Sequence, residues 1–423
     1  MIYIKNTKEK QTIYIPRTEL YTEQYVNPVK TYEEGYNDGF GKGVDKGIEQ
    51  QKSKLESITI TENGTYTKED GYNKVIVDVE GSGGGVAKVD VASLGGLKFG
   101  YSTFSEVPEI FDFSNVTDMS GMFKICENLT TIQQLDMSNA MYMSGMFYGC
   151  SNLTSIPLIN TSKVIDMNGM FSDCYNLTSI PEINTSNVRI MSSIFTNCIQ
   201  LETIPLLDTS NVEDMNYMFQ GCYSFKTIPQ LNTSNVTGMT YMFQSCGELE
   251  TIPQLDTSNV EYMEWMFSDC YNLTSIPSLN TSKVTNMEGM FNNCWSLPFV
   301  YGLDTSKVTN MSNMFFGCES LIDVSALDAS NVQNVYGMFT ACQHLMHFGG
   351  LLNLKCNAYH AGFDNCPDLT YESCINILNG LYDFTVNGED NTDAVLGVHP
   401  NFLDIVGDKI SIGTDKGWTI LVP

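Results

Sequence analysis

Between residues 112 and 351 the apolar and polar positions recur with a period of 24 and no insertion. Each unit begins with Asp or Asn, then Thr-Ser, Asn or Lys, and Val. After two variable residues comes Met-x-x-Met-Phe-x-x-Cys-x-x-Leu-x-x-Ile-Pro-x, closed by Leu or Ile. The Phe column runs from Phe123 to Phe363 and the Cys column from Cys126 to Cys366, with Ile194 replacing one Met and Phe225 one Leu. A single unit cannot bury these side chains, whereas units stacked in register line them into a continuous core, and register requires constant length. The Leu-x-x-Ile-Pro stretch predicts a short strand in a parallel sheet with rungs about 5 Å apart, ended by its proline. Met-x-x-Met-Phe has the i, i+3, i+4 spacing of one helical turn and is expected to form the opposite wall.

The ends follow other patterns. Ile2 to Ile15 alternates weakly before Pro16 and predicts a small strand pair. A four-residue period then sets Tyr32, Tyr36, Phe40, Val44 and Ile48 in one column beside repeated glycines. Each Gly costs a helix about 1 kcal/mol relative to Ala, so the expectation is a stalk that self-associates through this column, as a trimer for example; the alternative is a charged linker. Ile58 to Thr61, the Asn63-Gly64 turn and Val75 to Val79 predict a compact β module, and Gly81-Ser82-Gly83-Gly84-Gly85 a flexible joint. Asp368 to Phe384 predicts an amphipathic helix with Ile375, Leu378, Leu381 and Tyr382 on one face, and residues 394–423 a small α/β cap.

Charge narrows the range of partners. The formal net charge is −27, of which residues 1–80 carry −3 and the remainder −24. Duplex binding draws affinity from cationic side chains that displace phosphate counterions, so an array this acidic argues against nucleic acid. No stretch approaches the roughly 18 apolar residues of a membrane helix, and Met1 to Lys8 lacks the basic-then-apolar order of a signal peptide. The expectation is a chain made in the cytosol, with no membrane insertion.

The columns carry the candidate chemistry. Stacked cysteines could be disulfides, metal ligands or small buried fillers. Parallel Cβ vectors disfavour the first, the lack of Cys-x-x-Cys pairs the second, and the third fits a neighbourhood of Met and Phe. The Asp/Asn column from Asp112 to Asp328 suits a turn closed by the side chain better than a calcium site. At the tenth place of the unit most copies have Gly, Ser or Asn, but three consecutive rungs have Tyr217, Tyr241 and Trp265, with Tyr262 close by. These predict a surface aromatic strip able to hold a sugar ring or a protein partner; the alternative is an edge that stiffens the array. A second column after Cys supplies Tyr175, Tyr223, Tyr271 and Trp295. His344, His347, His360 and His399 fall near Cys342, Cys356, Cys366 and Cys374, where the repeat decays, without the spacing of a zinc site. No phosphate loop, dinucleotide fingerprint or nucleophile motif occurs, so no catalytic, cofactor or metal residues are assigned.

The unit resembles the BspA-like leucine-rich repeats of bacterial surface proteins, in the variant marked Asn-Val-x-x-Met-x-x-Met-Phe-x-x-Cys. That resemblance implies an α/β repeat fold, a leucine-rich-repeat-type solenoid used for adhesion or partner binding. The divisions expected are an anchoring and oligomerisation module at 1–80, a linker and cap at 81–104, ten repeats at 105–366 and a C-terminal cap at 367–423. Tyr14-Ile15-Pro16-Arg17, Tyr32 to Phe40 and Thr61 to Asn73 are similar to the front ends of virion structural proteins of crAss-like tailed phages. This implies a non-catalytic virion protein of head or tail fibre type on the particle surface. Residues 1–80 would bind other virion proteins, and the solenoid would bind a host-surface protein or glycan. The alternative is a BspA-like adhesin on a bacterial cell surface. An enzyme such as a glycan hydrolase would need paired carboxylates in a deep cleft, which the scattered acids do not offer.

Overall fold

A computed structural model describes residues 89–92, 98–102, 105–107, 111–386, 388 and 393–422, together with the backbone of four short strands in the first 80 residues. These strands are β1 (Ile2–Lys5), β2 (Lys10–Ile13), β3 (Ile58–Ile60) and β4 (Val75–Val77). They share one sheet of order β2-β1-β4-β3, in which β1 is antiparallel to β2 while β3 and β4 are parallel. The strands on either side of the Asn63-Gly64 dipeptide thus pair in parallel, which needs a crossover of about a dozen residues or more; the dipeptide itself lies outside the described residues. The column Tyr32, Tyr36, Phe40, Val44, Ile48 and the glycine joint lie outside the described residues.

The repeats stack into a leucine-rich-repeat-type solenoid, and its backbone wiring is clearest in the rung that starts at Asn232. Along the Met wall every second amide leaves the rung. Met239, Tyr241, Phe243 and Ser245 donate to the carbonyls of Tyr262, Glu264, Met266 and Ser268 in the next rung, at 2.8–3.0 Å. The amides between them close tight turns within the rung: Met242 to Met239, Gln244 to Tyr241 and Cys246 to Phe243, at 3.1–3.2 Å. Parallel bridges link the residues before the first Met, from Asp118 and Tyr142 through Tyr262 to Asn334. The expected helical turn is thus a run of tight turns instead. The reason is local: the tenth and fourteenth places of each unit have positive φ, as at Tyr241 (57°) and Ser245 (59°), and a right-handed helix cannot pass through them.

The strand expected at Leu-x-x-Ile-Pro is also local. It forms only where the proline is missing, as β7 (Phe299–Val300), β8 (Asp323–Val324) and β10 (His347–Phe348), which pair in parallel, and β9 (Leu327–Asp328) pairs with β11 (Leu351–Leu352) in the same way. The rungs from Ile156-Pro157 to Ile276-Pro277 lack the amide that would continue the ladder.

Inside, the Phe rings from Phe123 to Phe339 stack at centroid separations of 5.4–5.9 Å with planes within 16°. Each Cys does more than fill space. Its Sγ donates to the carbonyl of the Phe one rung back, as Cys222 to Phe195 and Cys246 to Phe219, both at 3.1 Å. That carbonyl also accepts the Cys amide of its own rung, so both its lone pairs are used. The Asp/Asn column closes turns: Asp208 Oδ1 accepts from Ser210 Oγ at 2.7 Å and Ser210 N at 3.1 Å. These bonds hold the Asp208 carboxyl below its ordinary range. Thr209 and its equivalents are buried, and each donates to the next rung, Thr209 Oγ1 to Asn232 O at 2.9 Å.

At the start, β5 (Val89–Asp90) pairs in parallel with β6 (Phe111–Asp112), and the stack extends back to Phe99, with Ser102 in the place of Cys. At the other end the helix is α1 (Tyr371–Gly380), shorter than expected, N-capped by Thr370 and burying Cys374, Ile377 and Leu378. Leu381 leaves the helix to bridge Leu354. β12 (Val395–Gly397) and β13 (Thr419–Leu421) pair beside α2 (Pro400–Val406). Lys416 Nζ ties this segment down by donating to the carbonyls of Leu378, Asn379 and Leu381.

Burial pushes the thiols up, Cys126 and Cys318 to about 12 and half-buried Cys356 to about 11. Because the thiolate is the reactive form, a thiol reagent at about pH 8 should label Cys356 first and leave the ladder unlabelled until denaturant is added. Rapid labelling of several ladder cysteines in native protein would mean that the column is not closed.

Candidate binding surface

Whatever occupies the tenth place of a unit is forced by the wiring into the left-handed region. It is the third residue of a four-residue turn that closes Met to Met, a place that favours Gly or Asn. Six rungs comply, Gly121, Gly145, Gly169, Gly289, Asn313 and Gly337, and a seventh has the small Ser193, with φ from 54° to 66°. Tyr217, Tyr241 and Trp265 stand in the same conformation at 60°, 57° and 55°. A bulky L-residue there costs about 1–2 kcal/mol.

Their rings form one column. Tyr217 and Tyr241 stack at 5.0 Å and 11°, Tyr241 and Trp265 at 6.3 Å and 2°. The column ends on a glycine: a Cβ added to Gly289 would lie 2.3 Å from Trp265 Cε3. Tyr217 and Tyr262 are exposed, Tyr241 and Trp265 half-buried. Aromatic pairs return about 0.5–1.5 kcal/mol each, so two stacks at best offset the strain of three residues, and the column gains nothing as a brace. A slipped stack also constrains its ligand. A ring or sugar sandwiched between two rings needs about 7–8 Å, twice an ordinary carbon contact, and neither gap offers it. The column presents a ridge, not slots.

Tyr175, Tyr223, Tyr271 and Trp295, the other aromatic column, are exposed or half-buried and have ordinary backbone angles. Tyr271 packs on Trp295 at 4.3 Å and Tyr223 lies over Gly247. Tyr175 OH donates to Asp173 Oδ1 at 3.4 Å. His344 faces Asp368 at 3.3 Å, while His399 Nδ1 accepts the Asn401 amide at the start of α2. The histidines are thus not gathered with the cysteines. A shallow groove of about 670 Å³ spans Gln230, Leu231, Gln254, Asp256 and Asn280, but its glutamines are spent on the ladder, Gln230 Nε2 to Gln254 O and Gln254 Nε2 to Ser278 O, each at 2.7 Å.

Residue-by-residue reading missed the neighbours of the ridge. Glu264 and Glu288 occupy the ninth place beside Trp265 and Gly289. Glu264 Oε2 accepts from Thr240 Oγ1 at 2.8 Å, and Glu288 Oε2 from Asn310 Nδ2 at 3.0 Å. The sequence signal was the Gly that follows the three aromatics in the same column.

A family model described as "Mycoplasma protein of unknown function, DUF285" matches residues 96–206, 199–299 and 272–358. No curated protein matches the sequence. Among solved structures, a leucine-rich repeat protein from Eubacterium ventriosum is similar at 16% identity and TM-score 0.31, covering 57% of this chain and 77% of that one. A leucine-rich repeat protein from T. pallidum is similar at 18% identity and TM-score 0.23, covering 53% and 69%. The functional domain of InlJ from Listeria monocytogenes, which includes a cysteine ladder, is similar at 11% identity and TM-score 0.22, covering 70% and 65%.

Gly289→Ala should dislodge the Trp265 ring without removing any aromatic. The expected result is a red-shifted tryptophan emission with the far-ultraviolet circular dichroism unchanged. Unaltered emission would mean that Trp265 does not rest on Gly289.

Proposed function

Because the chain belongs to the family described as Mycoplasma protein of unknown function, DUF285, whose repeats build the solenoid, we propose that it is a non-catalytic binding protein. Its contact surface is the Tyr217, Tyr241, Trp265 ridge with Tyr262 beside it. The observation that carries this reading is the strain. Three consecutive rungs hold large aromatics where the backbone favours glycine, and stacking does no more than offset the cost. Strained outliers that persist without a stability gain are characteristic of sites kept for function. Since the ridge lacks slots for sandwiching a sugar, a protein partner is favoured over a glycan.

The setting we propose is an exposed biological surface. Among the described residues no helix is long and apolar enough to cross a membrane. The motifs around Tyr14 to Arg17, Tyr32 to Phe40 and Thr61 to Asn73 support a particle-borne role, with residues 1–80 attaching the chain to other virion proteins as an oligomer. The repeat itself supports a bacterial cell surface, the second reading.

Replacing Tyr217, Tyr241 and Trp265 together by Ser should lower adsorption of the purified chain to intact target cells by about tenfold or more, a loss typical of hot-spot residues. Unchanged adsorption would return the ridge to scaffolding. Peptides of the solenoid in purified phage particles would favour the virion setting. Their recovery only in a bacterial envelope fraction would favour the adhesin.

A further inference from the structure

The ridge sits on a wall of one charge. In the sixth to fourteenth places of the four rungs that begin at residues 208, 232, 256 and 280, which contain the ridge and its glycine seat, there are six carboxylates and no lysine or arginine. One of the six, Glu213, faces Arg189 of the preceding rung at 3.9 Å. Among the described residues the remaining ion pairs are Lys98 with Asp118 and His344 with Asp368, both outside these rungs. Glu264 and Glu288 are held in place through one oxygen each by the neutral donors Thr240 and Asn310. Asp269 is held through both oxygens, Oδ2 accepting from Ser268 Oγ at 3.0 Å and Oδ1 from Asn293 Nδ2 at 2.9 Å. These contacts fix the carboxylates without neutralising them.

Resting on the binding role proposed above, we infer that the partner presents an arginine-bearing, cationic protein segment to this ridge. Charge complementarity selects a cation: an uncompensated acidic face steers positive partners and repels acidic ones, a second copy of this chain included. The aromatics select the kind of cation. The inner faces are taken up by the stack, so contact is along the rims of the rings; a planar guanidinium can pack there while forking onto carboxylates, whereas an ammonium is a compact, strongly hydrated point charge. The spacing fits as well. In an extended segment, side chains two residues apart project to the same side about 6.6–6.8 Å apart, and the ring centroids of Tyr241 and Trp265 are 6.3 Å apart. Two arginines in alternate positions thus match the spacing of successive rings, with Glu264 and Glu288 in the adjoining ninth places as candidate partners for their forks.

The test uses the full chain and two fluorescently labelled peptides, nona-arginine and nona-lysine, titrated by anisotropy at about 0.15 M salt, where the Debye length is about 8 Å. Nona-arginine should bind roughly fivefold or more tightly than nona-lysine. Trp265→Gly should remove that preference, as should Glu264→Gln combined with Glu288→Gln, while Trp295→Ser in the other aromatic column should keep it. Glycine is the residue other rungs already carry at the tenth place, so Trp265→Gly is compatible with the fold. Equal binding of the two peptides, or a preference that survives Trp265→Gly, would overturn the inference and leave only diffuse attraction to an acidic chain. The two readings fail separately. If the serine variant loses cell adsorption while wild type shows no arginine preference, the contact surface stands and the cationic partner falls. If adsorption and peptide binding are both indifferent to the ridge, both fall.

Discussion

The constraint from which the rest follows is the division of backbone amides along the Met wall. Alternate N–H groups close turns inside a rung and cross to the next one. Each crossing amide needs a carbonyl 23 residues ahead, as Tyr241 needs Glu264. A unit longer or shorter by one residue would leave buried donors unpaired, each at about 1–3 kcal/mol. Constant length is therefore a hydrogen-bonding requirement as much as a packing one. The Phe stack and the thiol ladder depend on it, since Cys246 reaches Phe219 only if every rung repeats the same path.

The same wiring divides the unit into places where the residue is dictated and places where it is free. Val, Met, Phe, Cys and Leu are buried and nearly uniform. The tenth place faces outward, yet the turn around it still sets φ near 60°. Glycine satisfies that demand at no steric cost, which makes Tyr217, Tyr241 and Trp265 departures from what the backbone favours. They coincide with the three ring centroids that line up, with the glycine on which the last ring rests, and with rungs whose sixth to fourteenth places hold no lysine or arginine. Variation along one outward column thus turns a uniform scaffold into a specific ridge.

Much of this was legible in the sequence. The 24-residue step, the inward columns and the aromatic strip can be read directly, because periodicity reports burial. The wall geometry could not be read from spacing. Met-x-x-Met-Phe matches a helical turn as well as it matches two tight turns, and only the Gly, Ser and Asn of the tenth place hint at positive φ. The expected parallel strand is confined to the later rungs for a reason already present in the sequence: Pro157 and its equivalents remove the amide a ladder needs, and β7 appears where Tyr301 replaces proline. The thiol bonds were hidden because their acceptors are main-chain carbonyls. Glu264 and Glu288 belong to no repeated pattern, so only their placement beside Trp265 brings them into view.

The central claim is that the aromatic ridge is retained for contact and not for stability, and the unfolding midpoint tests it most directly. Tyr217, Tyr241 and Trp265 would be replaced together by glycine, and the chain unfolded in denaturant beside the wild type. Relief of left-handed strain should leave the midpoint unchanged or raise it, because the loss of two stacks is offset by three relaxed backbone sites. A variant destabilised by more than about 3 kcal/mol, beyond what two stacking contacts can supply, would contradict the account and make the ridge a brace of the solenoid.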